Sequence, residues 1–253
     1  MAEFDKLLSK NTKLVSVSHI SNTLGTINDI ETIITKAHSF SAKVMIDGAQ
    51  AASHVSLDMQ KIDADFYCFS AHKVFGPTGV GVLYGKEEIL NLLPAYQGGG
   101  EMIKEVSFKK TTYACLPHKF EAGTPNIAGV IAFKQAIDFI TKLGVSEIAK
   151  YEEELLQYAT AEILKIEGLK IYGTAVHKSA IISFNLERLH PYDIGMIVDK
   201  MGVAIRTGHH CTQPIMDRFN IPGTARISLS VYNTKEEIDV CVNAIKKAKS
   251  MLS

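Results

Sequence analysis

The sequence lacks an excess of charge of either sign. Its 253 residues include 27 Lys or Arg and 27 Asp or Glu, so the formal net charge is zero. A zero balance argues against a protein that binds nucleic acids through bulk electrostatics, because such proteins normally carry a basic excess. With 46% hydrophobic and 21% charged residues, the composition predicts a globular chain of one or two domains with a real core, not a disordered one.

Long apolar runs and abundant cysteines are also missing. No apolar run approaches the roughly 18 residues that a membrane-spanning helix needs. The opening residues, MAEFDKLLSK, mix charged and apolar side chains and lack the continuous apolar core of a signal peptide. Four cysteines in a chain of this size do not make a disulfide scaffold: Cys68, Cys115, Cys211 and Cys241. We therefore expect a cytoplasmic protein with no membrane association, in which a cysteine in an unusual setting indicates chemistry.

The first half of the chain alternates short apolar segments with a helical pattern. Strands are predicted at 13–18, 43–47, 65–70 and 79–84, and a helix at 29–40, where Ile30, Ile33, Ile34 and Ala37 recur at helical spacing. Near-continuous apolar strands that alternate with helices are typical of a parallel sheet covered on both faces. The sequence thus predicts an α/β fold.

The second half predicts a smaller α+β domain. Segment 98–126 has few periodic signals and is interpreted as extended loops. Helices are predicted at 127–143, 145–166, 192–201 and 235–252, and strands at 169–172, 180–184, 203–206 and 226–230. We expect one domain at 1–142 and a second at 143–253.

Polar clusters follow several of these strands. Ligands in α/β sheets gather at the carboxyl ends of strands. Clusters of this kind occur at 19–22, 47–50, 70–73 and 206–211.

Asp47 and Lys73 are the first candidate pair. A lone Asp at a strand end is usually a cap, and a lone Lys is usually a solvated surface charge. Here Lys73 ends an apolar strand and precedes FGPTGVG, whose glycines let the backbone approach a ligand closely. That setting suits a lysine that forms a Schiff base. A carboxylate that keeps a pyridinium nitrogen protonated is the other half of pyridoxal phosphate chemistry.

Cys211 lies among glycine, histidines and proline in the segment RTGHHC. Cys68 and Cys241 fit the interpretation of small apolar residues, but this loop makes Cys211 a plausible nucleophile. A zinc site is disfavoured, because adjacent loop residues cannot readily converge on one metal and no CxxC or HxxxH partner exists. Arg206 and Arg226 fit either surface ion pairs or a planar fork for a substrate carboxylate.

Four motifs, taken together, resemble a known family. They are DGAQ at 47–50, FSAHKVFGPTGVGVLYG at 69–85, FEAGTPN at 120–126 and RTGHHCTQP at 206–214. In this order they resemble the class V aminotransferase-like, fold-type I pyridoxal phosphate enzymes, and more closely the SufS-type cysteine desulfurases. The resemblance runs over essentially the whole chain. It implies the mostly parallel sheet of a partial large domain, followed by a smaller α+β domain that carries the catalytic cysteine.

The resemblance implies a role for each matching residue on the cofactor side. Lys73 would hold pyridoxal phosphate covalently, Asp47 would pair with the pyridine nitrogen, and Gln50 would pair with the ring oxygen. Ser70 and His72 would bind the phosphate, with His72 also counted among the catalytic residues. Thr124 would reach the phosphate of a partner subunit, which implies a homodimer.

On the substrate side, Asn22 and Arg226 would hold the carboxylate of L-cysteine, with Arg206 near the reacting cysteine. Cys211 would take the sulfur as a persulfide for iron–sulfur cluster assembly, and alanine would leave. Because the RTGHHC loop is short, its persulfide cannot travel far, which implies a docking acceptor protein of the SufE or SufU kind.

Four interpretations stay open at this point. In the family, an earlier stretch supplies a phosphate loop and a histidine that stacks on the pyridine ring. We expect that this chain lacks that N-terminal part, and His19 is not assigned to the stacking role. The chain is therefore either an active desulfurase when completed or a catalytically silent fragment. It could also act as a selenocysteine lyase, or belong to another fold-type I group such as the aminotransferases or kynureninase relatives.

Overall fold

A four-stranded sheet forms the centre of the first part of the chain. The computed structural model describes all residues 1–253, which divide into two units, Met1–His19 with Asp29–Lys142 and Ile20–Asn28 with Leu143–Ser253. The strands of the first unit, in sheet order, are β1 (Leu14–Ser18), β2 (Lys43–Asp47), β3 (Phe66–Ser70) and β4 (Gly81–Gly85). The pairs β1–β2 and β2–β3 are parallel, and β4 is antiparallel to β3. The sheet is therefore mostly parallel.

Helices cover this sheet because their apolar residues recur on one face. The helices of the unit are α1 (Ala2–Leu7), α2 (Ile30–Ser39), α3 (Met59–Ile62), α4 (Glu87–Leu92) and α5 (Ile127–Leu143). In α2, Asp29 caps the first turn by accepting a hydrogen bond from the Thr32 amide at 3.1 Å. The buried residues of α2 pack in one core with Val44 and Ile46 of β2.

The prediction that 98–126 forms extended loops is wrong in part. A hairpin of β5 (Ile103–Val106) and β6 (Thr111–Tyr113) lies within it. Ser107 closes the turn, because its hydroxyl accepts from the Lys110 amide at 3.1 Å. The strands are short and exposed, so they carry no burial pattern that a sequence could display.

A second sheet, entirely antiparallel, organises the second unit. Its order is β7 (Leu169–Tyr172), β8 (Ile181–Leu186), β10 (Thr224–Ser228) and β9 (Arg206–Gly208). The helices are α6 (Val145–Ile163), α7 (Pro191–Lys200), α8 (Gln213–Phe219) and α9 (Lys235–Leu252). The strand predicted at 203–206 is displaced to Arg206–Gly208, because Val203 and Ile205 pack against the core without joining the sheet.

The core of the second unit lies between this sheet and its helices. Ile182 and Phe184 of β8 are fully buried in one cluster with Ile194 of α7 and Ile245 of α9. None of the helices of the protein combines the length and apolar character that crossing a membrane requires.

The segment Ile20–Asn28 belongs to the second unit, which differs from the predicted domain at 1–142. Backbone bonds tie it to a distant part of the chain, from the Ile27 amide to the His177 carbonyl at 3.1 Å and from the Ser179 amide to the Gly25 carbonyl at 2.8 Å. The Ser183 hydroxyl also donates to the Thr23 carbonyl at 2.6 Å. Such pairing across some 150 residues leaves no local signal in the sequence.

Candidate active site

Asp47 and Lys73 lie at the same edge of the first sheet. Asp47 is the last residue of β2 and pairs in register with Cys68 of the parallel strand β3. β3 ends at Ser70, and a short 3₁₀ turn at Ala71–Lys73 follows it directly. Because neighbouring parallel strands end at one edge, the carboxylate and the amine are presented on the same side of the unit.

Neither charge is neutralised within the protein. One Asp47 oxygen, Oδ1, accepts from the Ala49 amide at 2.8 Å, while the side chain forms no ion pair. Lys73 is exposed and has neither a hydrogen bond nor an ion pair, and His72 beside it is also exposed. Gln50 and Ser70 lie half-buried at the same edge. The edge thus offers an unpaired carboxylate and an unpaired amine to a ligand.

The buried Tyr67 ring packs against the backbone next to Asp47 and so supports this edge. The sequence pattern did not reveal this role. Tyr67 is fully buried in β3, and its hydroxyl shares a 2.9 Å hydrogen bond with Nδ1 of His19. Burial and the neighbouring Asp47 charge raise the pKa of Tyr67, and burial lowers the pKa of His19, so both rings are neutral. The Tyr67 ring lies against the backbone of Gly48, where any Cβ would overlap it. His19 thus holds the Tyr67 hydroxyl in place.

Thr124 lies in the loop that precedes α5, and its side chain is exposed. The neighbouring Gly123 amide donates to the Gly100 carbonyl at 3.0 Å. Asn126 caps α5 by accepting from the Gly129 amide at 3.0 Å. The Thr124 hydroxyl has no partner in this chain and is available to a ligand or to another subunit.

Cys211 lies in the second unit, at the tip of an unusual turn. His210 and Cys211 have consecutive positive φ angles of 54° and 62°, the left-handed region that residues other than glycine seldom occupy. The thiol is exposed, and Nη2 of Arg206 donates to Sγ at 3.6 Å. A strained turn that presents an exposed thiol to a guanidinium is a suitable setting for a nucleophile.

Arg226 lies beside Arg206, because the two residues are Cα partners in the β9–β10 ladder. Arg226 is half-buried; its Nη1 donates to the Asn22 carbonyl at 2.8 Å, and its buried Nε has no partner. No carboxylate forms an ion pair with either arginine. Burial and the Arg206 charge lower the pKa of Arg226. Two adjacent guanidinium groups without an acid form a site for an anion.

Asn22 links this anion site to the cysteine turn. Its Nδ2 donates to the His210 carbonyl at 2.7 Å, one residue before the thiol. Thr23, fully buried, shares a 2.7 Å bond between hydroxyls with Thr212, one residue after it. The sequence analysis missed Thr23 and Thr212. Thr23 follows the polar cluster at 19–22 and Thr212 lies within the motif at 206–214, but only the fold shows that these two segments meet.

The predicted site residues thus form two groups. Those assigned to the cofactor lie in the first unit, and the structure brings five of them to one sheet edge: Asp47, Gln50, Ser70, His72 and Lys73. Those assigned to the substrate and the sulfur lie in the second unit as two hydrogen-bonded pairs, Arg226 with Asn22 and Arg206 with Cys211. The two arginines are Cα partners in the β9–β10 ladder. No cluster of His, Cys, Asp or Glu side chains that could hold a metal ion occurs.

Known proteins resemble this arrangement over the whole chain. The chain is 48% identical over 253 residues to a cysteine desulfurase of Enterobacter sp. (strain 638), covering 100% of this chain and 62% of the relative. It is 48% identical over 248 residues to a cysteine desulfurase of Synechococcus elongatus, covering 98% of this chain and 40% of that relative. Among solved structures, the cysteine desulfurase CsdA (S-sulfonic acid) of Escherichia coli matches with a TM-score of 0.94 at 36% identity, over 99% of this chain and 62% of that one.

These matches confirm the fold-type I α/β architecture and the resemblance to cysteine desulfurases. The chain spans about three fifths of the length of the Enterobacter relative, of which it covers 62%. The family model described as aminotransferase class-V matches residues 1–241. The chain belongs to the aminotransferase class-V family.

Proposed function

We propose that this chain carries the reactive residues of a pyridoxal phosphate-dependent cysteine desulfurase. The observation that carries the proposal is the exposed Cys211 thiol, presented by a left-handed turn to Arg206 beside the unneutralised Arg226. An aminotransferase needs no such thiol. The relatives named cysteine desulfurase support the same choice.

The residues at the first sheet edge fit pyridoxal phosphate. The cofactor has an aldehyde, a pyridine nitrogen and a phosphate. Lys73 offers an amine without a competing partner for the aldehyde, and Asp47 offers a carboxylate without a competing cation for the protonated nitrogen. Ser70 and His72 border the same edge and supply hydrogen-bond donors for the phosphate, and Gln50 supplies one for the ring oxygen.

When bound, the cofactor withdraws electrons from the substrate α-carbon. Asp47 keeps the pyridine nitrogen protonated and so sustains that withdrawal. The Lys73 amine would hold the cofactor through its aldehyde and, when free, would act as the base for the substrate α-proton. Because Lys73 has no carboxylate partner within the protein, its amine is available both to the cofactor and to the α-proton.

The two arginines and Asn22 orient the substrate. Arg226 has an unpaired Nε. Nδ2 of Asn22 donates one of its two hydrogens to the His210 carbonyl, which leaves the other available. The remaining donors suit a carboxylate, which arginine binds through two parallel hydrogen bonds. The substrate class is therefore a small amino acid, here L-cysteine.

Cys211 accepts the sulfur. The Cβ–S bond of cysteine breaks, a bond forms between that sulfur and Sγ of Cys211, and the substrate carbon becomes the methyl group of alanine. Cysteine and the thiol together give alanine and a persulfide, so atoms and electrons balance without an external oxidant. Arg206 stabilises negative charge on sulfur through its donor at 3.6 Å.

The proposed partners follow from the exposed thiol and from Thr124. An exposed cysteine on a short turn must hand its persulfide to a protein that docks there, of the SufE or SufU kind, for iron–sulfur cluster assembly. Thr124, whose hydroxyl has no partner in its own chain, would serve the phosphate of a second copy in a homodimer. All four cysteines are free, which agrees with a reducing cytoplasm.

Borohydride reduction after incubation with pyridoxal phosphate tests the cofactor site. Peptide mapping should find the cofactor on Lys73. Lys86 is the matched control, because it lies in the same unit but is paired with Asp63 and should stay unlabelled. Equal labelling of both lysines would contradict a built site.

Turnover separates the alternatives. Release of alanine from L-cysteine that is abolished by Cys211→Ser, with labelling of Lys73 retained, supports a desulfurase. Labelled Lys73 without any alanine identifies a silent fragment, and faster release of alanine from selenocysteine identifies a lyase. Turnover that survives Cys211→Ser unchanged contradicts the role of the thiol and favours another fold-type I activity.

A further inference from the structure

His210, next to the reactive cysteine, is a buried side chain for which the proposed reaction has no use. Only 2% of its surface is exposed. Its Nε2 lies 3.0 Å from the Thr224 carbonyl and 2.8 Å from the Thr224 hydroxyl. Because a carbonyl only accepts, Nε2 carries the proton. The ring is therefore anchored to the first residue of β10 by a donated hydrogen bond.

The imidazole is also neutral. Burial and the charge of Arg226 lower the pKa of His210 to about 4, and Arg206 and His209 act in the same direction. Its second nitrogen, Nδ1, is buried and has no partner in the protein. His210 thus adds no third positive charge beside the two arginines, and its contribution is one directed hydrogen bond.

The backbone of the turn needs such an anchor. Two successive residues with positive φ are strained, because the left-handed conformation costs free energy for L-residues other than Asn and Asp. The Asn22 amide fixes the His210 carbonyl on one side. On the other side, the Thr212 hydroxyl donates to the His209 carbonyl at 2.9 Å and therefore accepts from Thr23.

We propose that His210 is a positioning residue, whose Nε2–H bond to Thr224 fixes the left-handed turn that places Cys211 against Arg206. The inference deepens the proposed function, because it rests on Cys211 as the acceptor of sulfur. His210 contacts neither substrate nor cofactor in this role. It acts through the main chain of the residue that follows it.

A matched pair of variants tests the anchor. His210→Gln keeps an N–H donor at the reach of Nε2, whereas His210→Asn tolerates positive φ but is too short to reach Thr224. The measurement is the alkylation rate of Cys211 by iodoacetamide, followed by peptide mass spectrometry on the full chain. Cys115, exposed in the other unit, is the internal reference.

We expect alkylation of Cys211 to slow about fivefold in His210→Asn, because the loss of one exposed charge contact has an effect of that size. In His210→Gln the rate should stay within about twofold of the rate in the unsubstituted chain. Cys115 should react at an unchanged rate in both. Equal rates in the two variants, or a parallel change at Cys115, would overturn the proposal. If His210→Asn does not fold, Thr224→Val decides: it removes one acceptor of the anchor and should slow Cys211 about twofold, and an unchanged rate would overturn the proposal.

This readout needs neither cofactor nor turnover. A chain that fails to bind pyridoxal phosphate can still show different alkylation rates of Cys211 in His210→Asn and His210→Gln. Failure of the proposed function and failure of this inference are therefore distinguishable. A merely structural histidine would lower the stability of the fold without a selective effect on one thiol. The urea midpoints of both variants, measured in parallel, make that comparison.

Discussion

Replacement of Gly48 by alanine should destabilise the first unit and disturb Asp47. A Cβ at this position would overlap three atoms of the Tyr67 side chain: Cε1 and Cζ of the ring and the hydroxyl oxygen Oη. The ring cannot move aside easily, because Tyr67 is fully buried within β3 and its hydroxyl is bonded to His19 at 2.9 Å. The collision therefore falls on the backbone that carries Asp47.

The magnitude follows from three terms. Forcing an extra methyl group into a packed site costs about 1–3 kcal/mol. Losing the Tyr67–His19 hydrogen bond adds about 0.5–1.5 kcal/mol. The lower chain entropy of unfolded alanine relative to glycine returns about 0.4–1 kcal/mol. We expect the free energy of unfolding to fall by about 2 kcal/mol, within a span of about 0.5–4 kcal/mol set by these terms.

Urea denaturation followed by circular dichroism measures this change, since the protein contains no tryptophan to serve as a fluorescence probe. Gly98→Ala is the matched control, because nothing lies within 4 Å of a Cβ built there. The control should change stability by less than about 0.5 kcal/mol. A Gly48→Ala protein as stable as the control would refute the packing argument. In the folded fraction, displacement of Asp47 should also weaken binding of pyridoxal phosphate.

Three further predictions concern the second unit. Phe184→Ala removes a fully buried ring and should cost about 3–5 kcal/mol in urea denaturation; a loss below about 1 kcal/mol would show that the site collapses without a cavity. Thr234→Ala removes the capping box with Glu237 at the start of α9 and should cost about 1 kcal/mol, whereas Ser253→Ala at the other end should be neutral in the same assay. Lowering the pH from 6.5 to 4 should reduce the free energy of unfolding by at most about 3 kcal/mol through His210, whose folded-state pKa is lowered to about 4, because the unfolded chain binds the proton first. A His210→Gln protein that shows the same loss over this pH range would contradict that assignment.

Much of the fold can be predicted because burial imposes periodicity on the sequence. β2 at Lys43–Asp47, α5 at Ile127–Leu143 and α9 at Lys235–Leu252 have the predicted bounds. Each buries an apolar face against a core, so each displays the period of its secondary structure. The catalytic candidates were found by another signal, reactive residue types placed directly after apolar strands.

The remaining features depend on contacts that are distant in sequence. The hairpin of β5 and β6 is exposed and therefore unpatterned. Assignment of Ile20–Asn28 to the second unit follows from bonds to residues near 180. The roles of Tyr67 and His210 are visible only once Gly48 and Thr224 lie against them. Local residue preferences cannot report such pairings.

The proposed reaction carries sulfur from L-cysteine to Cys211 with the help of a cofactor held by Lys73. The most direct measurement is mass spectrometry of the Cys211 peptide after the chain is incubated with pyridoxal phosphate and L-cysteine. We expect one additional sulfur atom on Cys211, formed together with alanine and absent in Lys73→Ala. Alanine formation with Cys211 unmodified, or sulfur on Cys211 that persists in Lys73→Ala, would contradict it.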